Sequence, residues 1–365
     1  MTYLTQDVPQ KTGSPDLLPN DQARQAGPNK PTPSNRGWIL GPWLDLLLIS
    51  NVIWPLLVFF QHYDTLAGRM TIQFWQIYFI TTPHRWSTLA LVMLDRNPFR
   101  ARPRFFIAFA AMVVSLCVGI YISTGALTCL LAIDYLWNAW HFAAQHHGIY
   151  RIYGRLSHAP SLLPGWTEKW LLRSFLLYCI LRVAQVAIRP GALSDALSIT
   201  DWIALALPGM ILLDVLWNFN RQSLGRLTYL ISVTGLFLGM LWAIHNGHPA
   251  ILLALTTASA WFHASEYLAV VGWRLQKQNS DGTIHSRDAA LKWIASRWAV
   301  SLLIFMVILG SCGWMLESHF LEYWLLLNVI AAFLHYGYDG VLWKKQSPKT
   351  PPVPETIGSS SSSRA

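Results

Sequence analysis

Between Trp38 and Trp343 the chain is a succession of apolar runs of about twenty residues, the length an α-helix needs to cross a hydrocarbon layer about 30 Å thick. Ten such runs can be marked, at approximately 38–60, 71–94, 104–124, 126–149, 170–188, 202–219, 227–245, 249–273, 294–316 and 320–343. They predict an all-α fold, a polytopic bundle of about ten transmembrane helices. The fifth run is unusually polar (Arg173, Arg182, Gln185, Arg189) and the sixth is short, so these two are the candidates for an interfacial or re-entrant helix. Composition agrees with the membrane reading: 53% of residues are hydrophobic and 12% charged, about half the charged share of a soluble domain.

The charges that remain sit at the ends of the runs. Arg96, Arg100, Arg102 and Arg104 follow the second run, and Arg151, Arg155, Lys169 and Arg173 follow the fourth. Arg221 and Arg226 follow the sixth, Arg274, Lys277, Arg287, Lys292 and Arg297 the eighth, and Lys344 and Lys345 the tenth. The alternate connections are poor in Lys and Arg. This alternation predicts both termini on the cytoplasmic side of a cell or internal membrane. It also gives the net charge of +9 a source in topology and anionic headgroups, and no nucleic-acid partner is expected. Residues 1–36 and 346–365 read as disordered tails around a membrane domain at 37–345. The four cysteines stand singly with no Cys-x-x-Cys, so neither a disulfide framework nor a thiolate metal site is suggested.

Chemistry concentrates on the even-numbered runs. Asp134, Asn138, His141, Gln145 and Gly148 step by 4, 3, 4 and 3, one polar stripe on a helix. His84, His263 and His335 lie on the second, eighth and tenth runs. Each of the four histidines precedes the charge that closes its run by 9 to 11 residues. At about 1.5 Å per residue all four stand roughly 14–17 Å from the charged boundary, near the middle of the layer. A lone histidine at that depth ordinarily bonds to a neighbouring helix. Four at one depth, with Glu266 and Asp339 one turn further on the faces of His263 and His335, instead predict a shared metal site. His84, His141, His263, His335, Glu266 and Asp339 are the candidate ligands, and imidazole with carboxylate suits iron, as one or two ions. His146 and His147 follow His141 by five and six residues, about 140° and 240° around the helix, so they are secondary candidate ligands that need local unwinding near Gly148 to turn inward. Asp134, Asn138 and Gln145 are expected to orient the imidazoles, and Tyr267, Tyr336 and Tyr338 to donate protons or hydrogen bonds. Arg85, deep in the second run, requires a carboxylate such as Asp339, Glu266 or Asp134. The sixth run adds a polar stripe of Asp214, Asn218 and Arg221 without a histidine.

The run His141-x4-His146-His147 resembles a variant of the histidine boxes of membrane fatty-acid desaturases and hydroxylases. Single histidines on several spans resemble the bacterio-opsin-related carotenoid dioxygenases. The first of these families keeps its boxes three times over, where this chain has one imperfect box. Both resemblances imply a membrane oxidoreductase of oxygenase, hydroxylase or desaturase type, with non-haem iron acting on an apolar, lipid-like substrate among membrane lipids. An electron-donor protein is the partner so implied. Two other functions fit the same residues: a proton-coupled transporter using the histidines and acids as a relay, and a haem-binding electron-transfer protein.

Overall fold

The computed structural model describes residues 37–95, 99, 101–188, 194–284 and 288–343, and its regular structure is entirely helical. The two expected tails lie outside the described residues, as do Arg96, Arg100, Arg189, Arg287, Lys344 and Lys345. The helices are α1 (Pro42–Leu66), α2 (71–94), α3 (Pro103–Thr124), α4 (Thr128–Ser157), α5 (Gly165–Ile188), α6 (Ser194–Trp217), α7 (Leu224–His245), α8 (Pro249–Ser280), a short α9 (Ala289–Ser296) and α10 (Trp298–Leu342). Six helical stretches among the described residues are long and apolar enough to cross a membrane. They include α5 and α6, the two doubtful runs. Two polar groups of α5 are accommodated by pairing, for Arg182 donates to Gln185 and, itself buried, reaches Asp201 of α6 at 3.4 Å. Large apolar side chains stand exposed on outer faces, such as Ile107 and Leu116 on α3 and Leu303 and Ile308 on α10, as expected of surfaces that meet lipid.

Local sequence chemistry marks the breaks. Gly125 ends α3 in the left-handed conformation (φ 65°), open to a residue without Cβ, and its N–H bonds the Tyr121 carbonyl. Asn51, also left-handed, bends α1, and its side chain joins the Leu48 carbonyl to the Ser265 hydroxyl of α8. Within α2 the helix widens to a π-turn over Gln76–Thr81, immediately ahead of Pro83. At 45 residues α10 is far longer than a bilayer requires, and Phe320 breaks it with non-helical dihedrals (φ −139°, ψ 47°). Beyond the break the chain folds back, so that the Trp324 ring lies against Gly313. The two arms of α10 correspond to the ninth and tenth apolar runs.

Four helices surround one point. α2 packs on α8 and α10, and α4 packs on the same two from the other side. An apolar core around Phe175, Phe237 and Ile211 lies on one side of α4. A second, around Phe106 and Phe333, lies between α3 and the second arm of α10. The histidines stand where these layers meet.

Candidate metal centre

The four histidines counted to one depth form a closed ring. His84 meets His263 with ring centroids 5.2 Å apart, His263 meets His141 at 5.3 Å, His141 meets His335 at 4.6 Å, and His335 meets His84 at 5.1 Å. Each pair meets edge to face, and all four residues are buried. The order around the ring is the order in which α2, α8, α4 and α10 pack. Common depth on four mutually packed helices therefore became contact.

Hydrogen bonding on the outer edge of the ring determines which nitrogens face inward. Nδ1 of His84 bonds the Thr81 carbonyl, at the end of the π-turn, which leaves Nε2 buried and without a partner. On α10, Tyr267 donates to Asp339 Oδ1 at 2.9 Å and Thr88 donates to the same oxygen at 3.3 Å. Thr88 also meets the Tyr267 hydroxyl; with its proton passed to Asp339 or Tyr267, Thr88 accepts from His335 Nδ1 at 2.6 Å, the arrangement that puts the His335 lone pair on Nε2. That Nε2 stands 3.1 Å from Nε2 of His141. Two imidazoles bound at about 2.1 Å to one ion, roughly at right angles, place their nitrogens about 3 Å apart. His263 has neither ring nitrogen bonded, although it is buried. Its face is covered by Phe142, stacked at 3.9 Å and 16°. A buried imidazole with no protein partner on either nitrogen is costly unless a ligand such as a metal ion takes its lone pair. The donor set is neutral nitrogen without thiolate, which suits iron, copper, zinc or nickel.

The acids stand one layer out. Glu266, fully buried, accepts from Gln145 at 2.7 Å and from Tyr229 at 2.9 Å, and its Oε1 lies 3.1 Å from His146 Nδ1. Since Tyr229 donates to Glu266, it accepts from His146 Nδ1 at 2.8 Å, and Nε2 of His146 is left buried and unpartnered. Among the described residues two three-residue groups could thus hold an ion: His141, His335 and Asp339, and His146, His263 and Glu266. Gln145 also donates to the His263 carbonyl at 2.8 Å, tying α4 to α8 beside the ring.

Several expectations are sharpened or revised. His146 turns inward with α4 continuous from Thr128 to Ser157, so no unwinding at Gly148 is needed. Its neighbour His147 lines the cavity that also reaches His141, with Nε2 buried and unpartnered, and belongs to neither three-residue group. Asp134 and Asn138 touch no imidazole. They lie 3.0 and 3.1 Å from the Tyr336 hydroxyl, and the Tyr336 ring covers His141 at 4.9 Å. Tyr338 is directed away from the centre, its hydroxyl donating to the Phe106 carbonyl at 3.1 Å and its ring packed on Phe106, so it holds α3 to α10. Arg85 finds Asp134 at 3.9 Å, which leaves Asp339 and Glu266 to the histidines. Asp214 anchors the 161–162 turn and lies 4.0 Å from Arg226, so the polar stripe of the sixth run is remote from the ring. Tyr229 and Phe142 were not anticipated. Tyr229 sits in a run with no histidine of its own before His245, and only its isolation in an apolar segment could have flagged it.

A cavity of about 530 Å³ reaches His141, Tyr267, Tyr336 and Asp339 from one side. It gives the centre an open approach between α4, α5, α8 and α10. No family model, characterised protein or solved structure matches this chain, so the site rests on its own geometry.

Proposed function

We propose that the protein is an integral membrane oxidoreductase of the oxygenase, hydroxylase or desaturase type, holding non-haem iron in the four-histidine ring and acting on a lipid-soluble substrate. The observation that carries this reading is the ring itself, in which buried imidazoles present unpartnered nitrogens to one another. His84, His141, His263 and His335 hold the ion, and His146 with Glu266 forms the adjoining place for a second. Bound iron would supply the activation of dioxygen. The chain's own residues do the rest. Thr81, Thr88, Asp339 and Tyr267 fix two imidazoles, Phe142 and Tyr336 cover two others and exclude water, and the cavity admits an apolar chain alongside His141. An electron-donor protein completes the reading as the source of reducing equivalents. Nε2 atoms of His141 and His335 only 3.1 Å apart leave no room for a porphyrin between them, which disfavours haem.

The same reading extends to topology. Both arms of α10 and all of α1–α8 cross the bilayer, ten spans in all, with both chain ends on the cytoplasmic, Lys- and Arg-rich side. Elemental analysis of detergent-purified protein with an absorption spectrum tests the function. Stoichiometric iron without a Soret band, lost in His263→Ala, is expected. Protein that takes up no transition metal under any reconstitution condition would overturn it.

A further inference from the structure

The cavity beside the ring has two ends of different character. Its inner end is formed by His141, Tyr267, Tyr336 and Asp339, and Trp137 and Trp140 contribute apolar wall. Its outer end carries Arg151 and Arg155 from α4 with Lys169 and Arg173 from α5. Basic residues at a membrane boundary are normally explained by topology, and such residues fan out toward headgroups. These four converge instead on one opening. Among the described residues none of them is in an ion pair. The neighbouring buried acid, Glu168, is already bonded to Arg226 at 2.6 Å. Arg173 packs its guanidinium over the Trp140 ring at 5.4 Å, and its Nε is buried without a hydrogen-bond partner. His147 adds a further buried, unpartnered nitrogen on the same wall. Two of the four cations are exposed and two part-buried, and together they make a positive mouth to the cavity that an anion would neutralise.

We infer that the cavity binds a single-chain amphiphile whose anionic headgroup, carboxylate or phosphate, is held by Arg151, Lys169 and Arg173, with its apolar chain directed inward toward the histidine ring. Arginine forks suit either headgroup, since both accept paired N–H bonds. Arg151 follows His141 by ten residues on one continuous helix, so the headgroup end lies about 15 Å from the ring along the axis. A long chain spans that distance, and a small anion does not. That this amphiphile is the substrate rests on the oxidoreductase reading; that it binds does not.

Equilibrium binding of palmitate, hexadecyl phosphate and hexadecanol to the full chain in phosphatidylcholine nanodiscs tests the inference, with metal content measured on the same samples. Palmitate and hexadecyl phosphate are expected to bind at least tenfold more tightly than hexadecanol. Arg151→Gln, at an exposed position, should reduce that preference severalfold, and the Arg151→Gln/Arg173→Gln pair should reduce it further, the loss falling on palmitate and hexadecyl phosphate more than on hexadecanol. Equal binding of the alcohol and the anions by the wild type, a preference undiminished in both variants, or displacement of palmitate by inorganic phosphate alone would overturn the site. Anion-selective binding by protein that holds no metal would instead overturn the oxidoreductase reading and leave the amphiphile site in place.

Discussion

Thr88 Oγ1 of α2 lies 2.6 Å from His335 Nδ1 of α10, and both residues are fully buried. The contact is one link in a chain, because Thr88 also bonds Asp339, which takes a second bond from Tyr267 of α8. Three helices thereby share control of one imidazole. A ligand in a metal site normally has its other nitrogen held in this way, and the holding group sets both tautomer and aim.

Replacing Thr88 by Val keeps the volume and removes the hydroxyl. His335 then loses its Nδ1 acceptor, and metal affinity should fall by about 10- to 100-fold, the usual cost of losing such a support. Thr88→Ser should retain the wild-type value. Competition with a chelator measures the change. Equal metal retention by Thr88→Val and wild type would show that the hydroxyl does not position His335.

The doublet His146-His147 offers an internal contrast. His147→Ala should leave iron content unchanged, because His147 belongs to neither of the two groups of potential ligands among the described residues. Alanine at His84, His141, His263 or His335 should abolish stoichiometric iron, and His146→Ala should lower iron content only where a second ion is bound. Tyr338→Phe should also keep full iron while costing about 1 kcal/mol of stability through its lost bond to Phe106. Iron analysis across these variants separates the ring from its surroundings, and metal loss in His147→Ala alone would refute the assignment.

Depth was legible in the sequence, and azimuth was not. Counting back from the closing charge placed His84, His141, His263 and His335 in one layer because the rise of a helix is constant. The direction of a side chain around its helix depends on which neighbours close over it. That is why His146 could be ranked below His141 on spacing alone, yet meets Glu266 and Tyr229 once α7 and α8 pack against α4. Tyr338 shows the opposite error, for it shares a segment with His335 but packs on α3. Arg85 announced its need for an acid, and spacing offered three; only packing selected Asp134. The break at Phe320 had no proline or glycine to signal it, although the apolar runs on either side were already separate.

The Arg85–Asp134 pair should behave as a coupled unit. Its members are 24% and 14% exposed and 3.9 Å apart, so neither charge is well solvated when left alone. Arg85→Met should destabilise the protein by on the order of 3 kcal/mol, and adding Asp134→Asn should recover part of that loss. Denaturation midpoints in detergent measure both. Strictly additive effects would show that the two charges do not interact.

Gly313 is one of the positions at which the packing leaves no room for a side chain. A Cβ there would stand 2.6 Å from the Trp324 ring, nearer than side-chain atoms approach one another. Trp324 in turn stacks in parallel on Trp86 of α2 at 6.5 Å, and Trp86 donates to Asn328 at 3.2 Å. Displacing Trp324 would therefore push apart the arms of α10 and disturb the seam that brings His84 to His335. Gly313→Leu should cost about 1–3 kcal/mol through overpacking, seen as a lower thermal midpoint. Trp324→Ala removes the obstructing ring, so the double variant should be less impaired than the sum of the two single changes. Iron retention on mild heating should follow the same order. Independent effects in the double variant would mean that the arms are not held at this contact.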